Sequence, residues 1–149
     1  MRAVVQRVSN ASVTVDGEVV SSIGRGLLVF AAVGKGDNQQ QVDYLANKLC
    51  ELRIFEDSSG KVNLNVQQIQ GAILLVSQVT LFGDARKGNR PCFASAELPE
   101  AACLLFNSLA VAINKLGVPT STGKFRAHMK VQLINDGPMT ILIDSAKSF

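Results

Sequence analysis

Ser77-Gln78-Val79-Thr80 sets two hydroxyls and a carboxamide at the end of the strongest apolar stretch of the chain, Ala72–Phe82. On a strand, period two puts Ser77, Val79 and Leu81 on one face and Gln78, Thr80 and Phe82 on the other. Polar groups at the carboxyl end of a buried strand are a common setting for a site in α/β proteins. The competing reading is that these hydroxyls satisfy backbone groups where the sheet runs out. A hydroxyl nucleophile needs a base within hydrogen-bond reach, and the only histidine is His128. There is no Gly-x-Ser-x-Gly elbow, metalloprotease motif, phosphate loop or dinucleotide fingerprint. Cys50, Cys92 and Cys103 have no C-x-x-C spacing, so reduced structural thiols are expected, with no metal and no cofactor.

Two further stretches could take part in binding. Lys124, Arg126, His128 and Lys130 alternate with Phe125, Ala127, Met129 and Val131, which on a strand makes a basic stripe opposite an apolar face. Together with Arg86, Lys87 and Arg90 in a loop, it offers two basic clusters to phosphates, or else an ordinary solvated strand face. Asn135-Asp136-Gly137-Pro138 interrupts two apolar runs, Gln132–Ile134 and Met139–Ile143. The Asn-Asp-Gly part suits a hairpin turn, but the proline deletes a donor just where the next strand must begin.

These groups need elements to hold them. The 149 residues suffice for one domain with a sizeable core, and 47% hydrophobic with 18% charged residues is a globular composition. A net charge of +3 is only mildly basic. No signal-peptide core or membrane-length apolar run is present, so a soluble cytoplasmic protein is the expectation. Val4–Val8 and Ala11–Val15 read as short strands around Ser9-Asn10, followed by strands at Glu18–Ile23 and Leu27–Val33. Asp37, with Gln40, is the expected cap of a helix whose apolar face carries Val42, Leu45, Ala46, Leu49 and Leu52. Phe55–Asn65 reads as a loop. A second helix begins near Pro99 and buries Ala102, Leu105, Phe106, Leu109, Ile113 and Leu116. Two strands then flank the Gly-Pro corner, giving one mixed α/β domain over residues 1–149.

With "SQVTL" and "NDGPMT" placed, the sequence resembles the D-aminoacyl-tRNA deacylase family along its whole length, including "AVVQRVSNASVTVDG", "RIFEDSSGKVNLNV" and "KGNRP". The resemblance implies a cytoplasmic homodimer with a β/β/α three-layer fold, mixed sheets and two main helices. It implies hydrolysis of the ester joining a D-amino acid to the terminal ribose of tRNA, with tRNA as partner and no membrane. Ser77, Gln78, Val79, Thr80 and Leu81 would wall the pocket, and backbone N–H groups of residues 78 to 80 would stabilise an oxyanion. A ribose hydroxyl of the substrate would help activate water, with Thr80 as nucleophile the competing mechanism. Gly137-Pro138 would be a cis gate entering the partner subunit's pocket, with Arg7 supporting it and Asn135 and Met129 in the same substrate-binding set. Such a gate excludes L side chains and lets glycine through. Arg86, Lys87, Arg90, Lys124, Arg126 and Lys130 would contact tRNA. The sequence departs from the family pattern at Val79, commonly Phe, at Arg126, commonly small, and at Met139, commonly Val. The alternatives are a related deacylase acting on L-alanyl-tRNA and a non-catalytic tRNA-binding module.

Overall fold

The apolar runs around Leu27 and Leu74 lie side by side, because a strand apolar on both faces must be covered on both. In the computed structural model, which describes residues 1–149, β3 (Gly26–Ala32) pairs in parallel with β6 (Ala72–Ser77), from Gly26↔Ala72 to Ala31↔Ser77. Leu27, Val29, Ile73 and Leu75 point into one apolar cluster shared with the helices, while Leu28, Leu74 and Val76 point into a second cluster of strand residues. The sheet is thus the middle layer between helices on one face and further β-structure on the other. The strands approach closely at Gly26, where a Cβ would lie 1.9 Å from the carbonyl oxygen of Ala72.

β1 (Arg2–Val15) is one 14-residue strand, not two short ones. Along one edge it pairs antiparallel with β2 (Glu18–Ile23) and β3, and along the other with β8 (Lys130–Asp144). Ser9 and Asn10 do not end the strand: the ladder carries the backbone past them, at the cost of register shifts between Gln6 and Val8 and between Val8 and Asn10. β8 is likewise continuous across the Gly-Pro stretch, so no hairpin forms there. A hairpin would reverse the chain, whereas both halves of β8 run antiparallel to β1 in the same direction.

α1 (Gln39–Glu51) buries Val42, Leu45, Ala46, Leu49 and Cys50. Its cap is Asn38, which accepts the Gln40 N–H at 2.9 Å while Gln41 accepts the Asn38 N–H at 2.9 Å. The expected cap, Asp37, is committed elsewhere: its carboxylate takes the Gly34 N–H at 2.6 Å and the Met1 ammonium at 2.7 Å. The expected loop after α1 contains a small hairpin, β4 (Phe55–Glu56) with β5 (Val62–Leu64). Asp57 organises its turn, and the Ser59 hydroxyl, with backbone N–H groups of Lys61 and Ser59, pulls its carboxyl down to about 2.

α2 (Pro99–Lys115) buries Phe106, Leu109 and Ile113, with Leu116 lying past its end and exposed. β7 (Thr120–Thr122) adds a parallel strand beside β6. The three cysteines are free thiols, and burial pushes that of Cys50 up to about 11. No helix is long and apolar enough to cross a membrane.

The Gly26 contact is checkable. Gly26→Ala forces a methyl group against a backbone carbonyl that cannot rotate away, so its melting temperature should fall by roughly 3–10 °C. Gly24→Ala, where a Cβ meets nothing within 4 Å, is the control and should melt close to the wild type.

Candidate active site

β6 ends at Ser77 because its neighbours end there. β7 accompanies it only to Leu75, and β3 offers its last ladder acceptor when Ala31 O takes the Gln78 N–H at 2.9 Å. Without a further partner, the backbone closes its own bonds in a 3-10 turn, Val79–Phe82, with Leu81 N–H donating to Gln78 O at 3.2 Å. The strand expected to reach Phe82 therefore stops five residues short, and the period-two faces do not extend past Ser77.

This ending has a chemical consequence. The first three N–H groups of a 3-10 turn lack acceptors within it. That of Gln78 is spent on Ala31, so of residues 78 to 80 only Val79 and Thr80 present open donors. Both side chains are exposed, and Thr80 Oγ1 makes no hydrogen bond to a side chain that could serve as its base. The turn is tied to the far end of the chain: Arg2 Nη1 donates to Leu81 O at 3.1 Å, and the Arg2 guanidinium lies 4.6 Å from the centre of the Phe82 ring. Gly34 makes room for that ring, since a Cβ there would lie 2.6 Å from it. Neither Arg2 nor Gly34 carries a sequence signal for this role.

Ser77, Gln78 and Val79 line a cavity of about 410 Å³. Its apolar wall includes Phe30, Val76, Phe125, Met129 and Val131, and Arg126 and His128 also line it. Thr80 and Leu81 lie in the turn beyond this lining. The segment carrying Arg126 is not a strand, although its expected alternation holds in burial: Lys124, Arg126, His128 and Lys130 are exposed, and the residues between them half-buried. Gly123 N–H donates to Leu75 O at 3.0 Å and Ala127 N–H to Lys124 O at 3.2 Å, which makes a tight turn instead.

The second group of expected residues lies elsewhere. Between the pairs Val8↔Asn135 and Gln6↔Thr140, β1 has the single residue Arg7, opposite the four residues from Asp136 to Met139. The surplus backbone bulges outward, with Gly137 at φ +133 and the Gly137–Pro138 bond cis. Arg7 is buried beneath it, donating from Nε to Asp136 O at 2.8 Å and from Nη1 to Ile54 O at 2.6 Å. Asn135 Nδ2 braces the other side, donating to Arg7 O at 3.0 Å and Met139 O at 2.9 Å. A Cβ on Gly137 would lie 2.5 Å from Arg7 Nη2. Within one chain the bulge is far from the cavity: Val131 and Gly137 are six residues apart on β8, roughly 20 Å of extended strand.

Arg86, Lys87 and Arg90 lie on an exposed loop. Arg86 is partly neutralised, its Nη2 2.6 Å from Asp84 Oδ2, and its hydrogen bond holds the Asp84 carboxyl well below the usual carboxylate range. Lys87, Arg90, Lys124 and Lys130 have no acidic partner.

A β/β/α domain with open N–H donors at the lip of an apolar cavity has the parts of an acyl-transfer site. A family model described as D-Tyr-tRNA(Tyr) deacylase matches residues 4–144. The D-aminoacyl-tRNA deacylases of Anaeromyxobacter dehalogenans (strain 2CP-C) and Thermoanaerobacter sp. (strain X514) are 55% and 56% identical over 149 residues, covering all of both chains. A solved structure of the c-Myc DNA Unwinding Element Binding Protein has a TM-score of 0.93 at 44% identity, covering 97% of this chain and 99% of that one. A probable eukaryotic D-amino acid tRNA deacylase, with a TM-score of 0.80 at 16% identity over 95% of this chain and 97% of that one, shares the fold. The chain belongs to the D-aminoacyl-tRNA deacylase family.

Arg7→Met leaves the carbonyls of Asp136 and Ile54 without their donor, each at a cost of about 1–3 kcal/mol. The melting temperature should fall by roughly 5–15 °C. Arg7→Lys, which can rebuild one bond but not both, should fall between. If Arg7→Met melts with the wild type, the guanidinium does not hold the bulge.

Proposed function

We propose that this protein hydrolyses the ester joining a D-amino acid to the terminal ribose of tRNA, releasing the free amino acid and the tRNA. The observation that carries the reading is the pair of N–H groups without an acceptor in the turn, that of Val79, which lines the apolar cavity, and that of the adjacent Thr80. As water attacks the acyl carbon, negative charge builds on the former carbonyl oxygen, and two fixed donors stabilise it more than they stabilise the ground state. The tetrahedral intermediate then expels the ribose oxygen, which leaves as a hydroxyl. The ester is already an activated acyl group, so a strong protein base is not required. The neighbouring ribose hydroxyl relays the proton, taking that of the attacking water as it passes its own to the departing ribose oxygen, so no side-chain base near Thr80 is needed. Thr80 as nucleophile is the weaker reading, because an unassisted hydroxyl is a poor nucleophile.

Substrate choice falls to the Gly137-Pro138 bulge. It is exposed and roughly 20 Å along β8 from its own cavity, so it serves the cavity of a second copy in a homodimer. Rigid backbone close to the α-carbon excludes an L side chain and admits a D one, and glycine passes. The unpartnered cations Lys87, Arg90, Lys124 and Lys130 suit the tRNA backbone, with Arg86 contributing less because Asp84 offsets it. A polynucleotide partner also agrees with the DNA-binding name of the solved relative. The cytoplasm, where charged tRNA is found, is its compartment.

Thr80→Val separates the mechanisms. It keeps the N–H, so turnover of D-tyrosyl-tRNA should stay within about tenfold of wild type. Val79→Pro deletes a donor, and the preceding Gln78, at φ −145 and ψ 80, lies outside the α region that proline disfavours before it, so kcat should fall by about 10²–10³ with little change in KM. Abolished turnover in Thr80→Val, or a trapped acyl-enzyme, would establish the nucleophile instead. D-, L- and glycyl-tRNA assayed side by side test the selection.

The shared gate predicts complementation. Gly137→Ala puts a methyl group onto Arg7 at a φ that L residues rarely adopt, and should be inactive. Mixed one-to-one and reassembled with Val79→Pro subunits, it should recover up to about a quarter of wild-type turnover through heterodimers with one intact composite site. A mixture no better than its components would rule out a gate given to the partner.

A further inference from the structure

Arg126 stands in a backbone conformation that its residue type disfavours. The Ala127 N–H to Lys124 O bond of 3.2 Å closes a four-residue turn, and Arg126 occupies its third position at φ +62. A turn with positive φ there selects glycine or asparagine, because any other Cβ crowds the following carbonyl. A non-glycine residue held in this region points to a task for its side chain. Packing does not supply one, since the Arg126 side chain is 69% exposed. Its nearest acid, Glu100, is 4.0 Å away and itself 82% exposed, and such surface pairs stabilise little.

What Arg126 does have is position. It lines the apolar cavity together with His128, and none of the residues lining that cavity is acidic. Two nitrogen-bearing side chains on an otherwise apolar or neutral wall, with no acid in the lining and only the exposed Glu100 at 4.0 Å from Arg126, make an anion site. We propose that Arg126, assisted by His128, is a phosphate clamp that takes the phosphodiester on the 5′ side of the terminal nucleotide and so sets the depth at which the ester enters the cavity. The assignment rests on the deacylase reading for the identity of the ligand. The planar guanidinium matches two phosphate oxygens at once, whereas a lysine would offer only a point charge. The clamp is a specificity and positioning device, distinct from the loop cations Lys87 and Arg90, which sit apart from the cavity.

Binding of adenosine 5′-monophosphate and of adenosine, each titrated by calorimetry at low salt, tests the clamp without any hydrolysis. Wild type should prefer the monophosphate by about tenfold or more, and Arg126→Gly should lose that preference while keeping adenosine affinity. His128→Gln should lose part of it, and Arg126→Lys should fall between wild type and Arg126→Gly. In turnover of D-tyrosyl-tRNA, Arg126→Gly should raise KM several-fold and also lower kcat several-fold, because the ester is no longer held at its depth. Its melting temperature should equal or exceed the wild type's, because glycine suits the turn. An unchanged monophosphate preference overturns the proposal, as does an equal loss of adenosine binding or a clear fall in melting temperature, which would mark Arg126 as structural. A KM effect confined to D-aspartyl- and D-glutamyl-tRNA would also overturn it, since the anion would then be the side-chain carboxylate of the substrate. Failure of wild type to hydrolyse any D-aminoacyl-tRNA would instead reject the deacylase reading and leave the monophosphate result to stand or fall alone.

Discussion

Every other part of the molecule is arranged around the parallel pairing of β3 with β6. Both strands are apolar on both faces, so the pair is stable only between two cores, one built with the helices and one with the long strands β1 and β8. The same pairing fixes where the candidate site can be. The ladder runs out at Ala31 and Ser77, and a chain that has lost its acceptors on one side must bond to itself or leave donors open. It does both: the 3-10 turn satisfies Leu81 and Gly83 and leaves Val79 and Thr80 open.

Such a turn is short and has little stability of its own, and its anchoring is accordingly long-range. Arg2 reaches Leu81 O from the first strand, and Phe82 fits into the space that Gly34 leaves. The donors are thereby fixed before a ligand arrives, which is what makes hydrogen bonds to a developing oxyanion effective. The bulge in β8 follows the same logic with a different device. Four residues face one, and the surplus backbone keeps a single shape because a buried guanidinium and a carboxamide hold its carbonyls from beneath.

One strand, β8, borders both the cavity and the bulge. Met129 and Val131, at the start of β8 or just before it, line the cavity, while the bulge lies in its middle. An extended strand is stiff along its length, so one chain cannot fold its own bulge over its own cavity without breaking the β1–β8 ladder. That rigidity keeps the bulge and the cavity of one chain apart.

The sequence by itself determined the strands at Glu18–Ile23 and around Leu27, both helices, the family, and the alternation of exposed cations with half-buried apolar residues from Lys124 to Val131. Each of these rests on local periodicity, composition or motif, which a linear reading contains. It misjudged the end of β6, the cap of α1, the continuity of β1 and β8, and the nature of the segment around Arg126. Those were decided by tertiary structure, because each depends on which partner a backbone group finds. Asp37 does not cap α1 because Gly34 and Met1 claim its carboxylate. The Gly-Pro stretch does not turn the chain because β1 holds β8 on both sides of it. Val79 and Thr80 are left with open donors because β3 and β7 are too short to accompany β6 further, and no residue near them in sequence records the length of those neighbours.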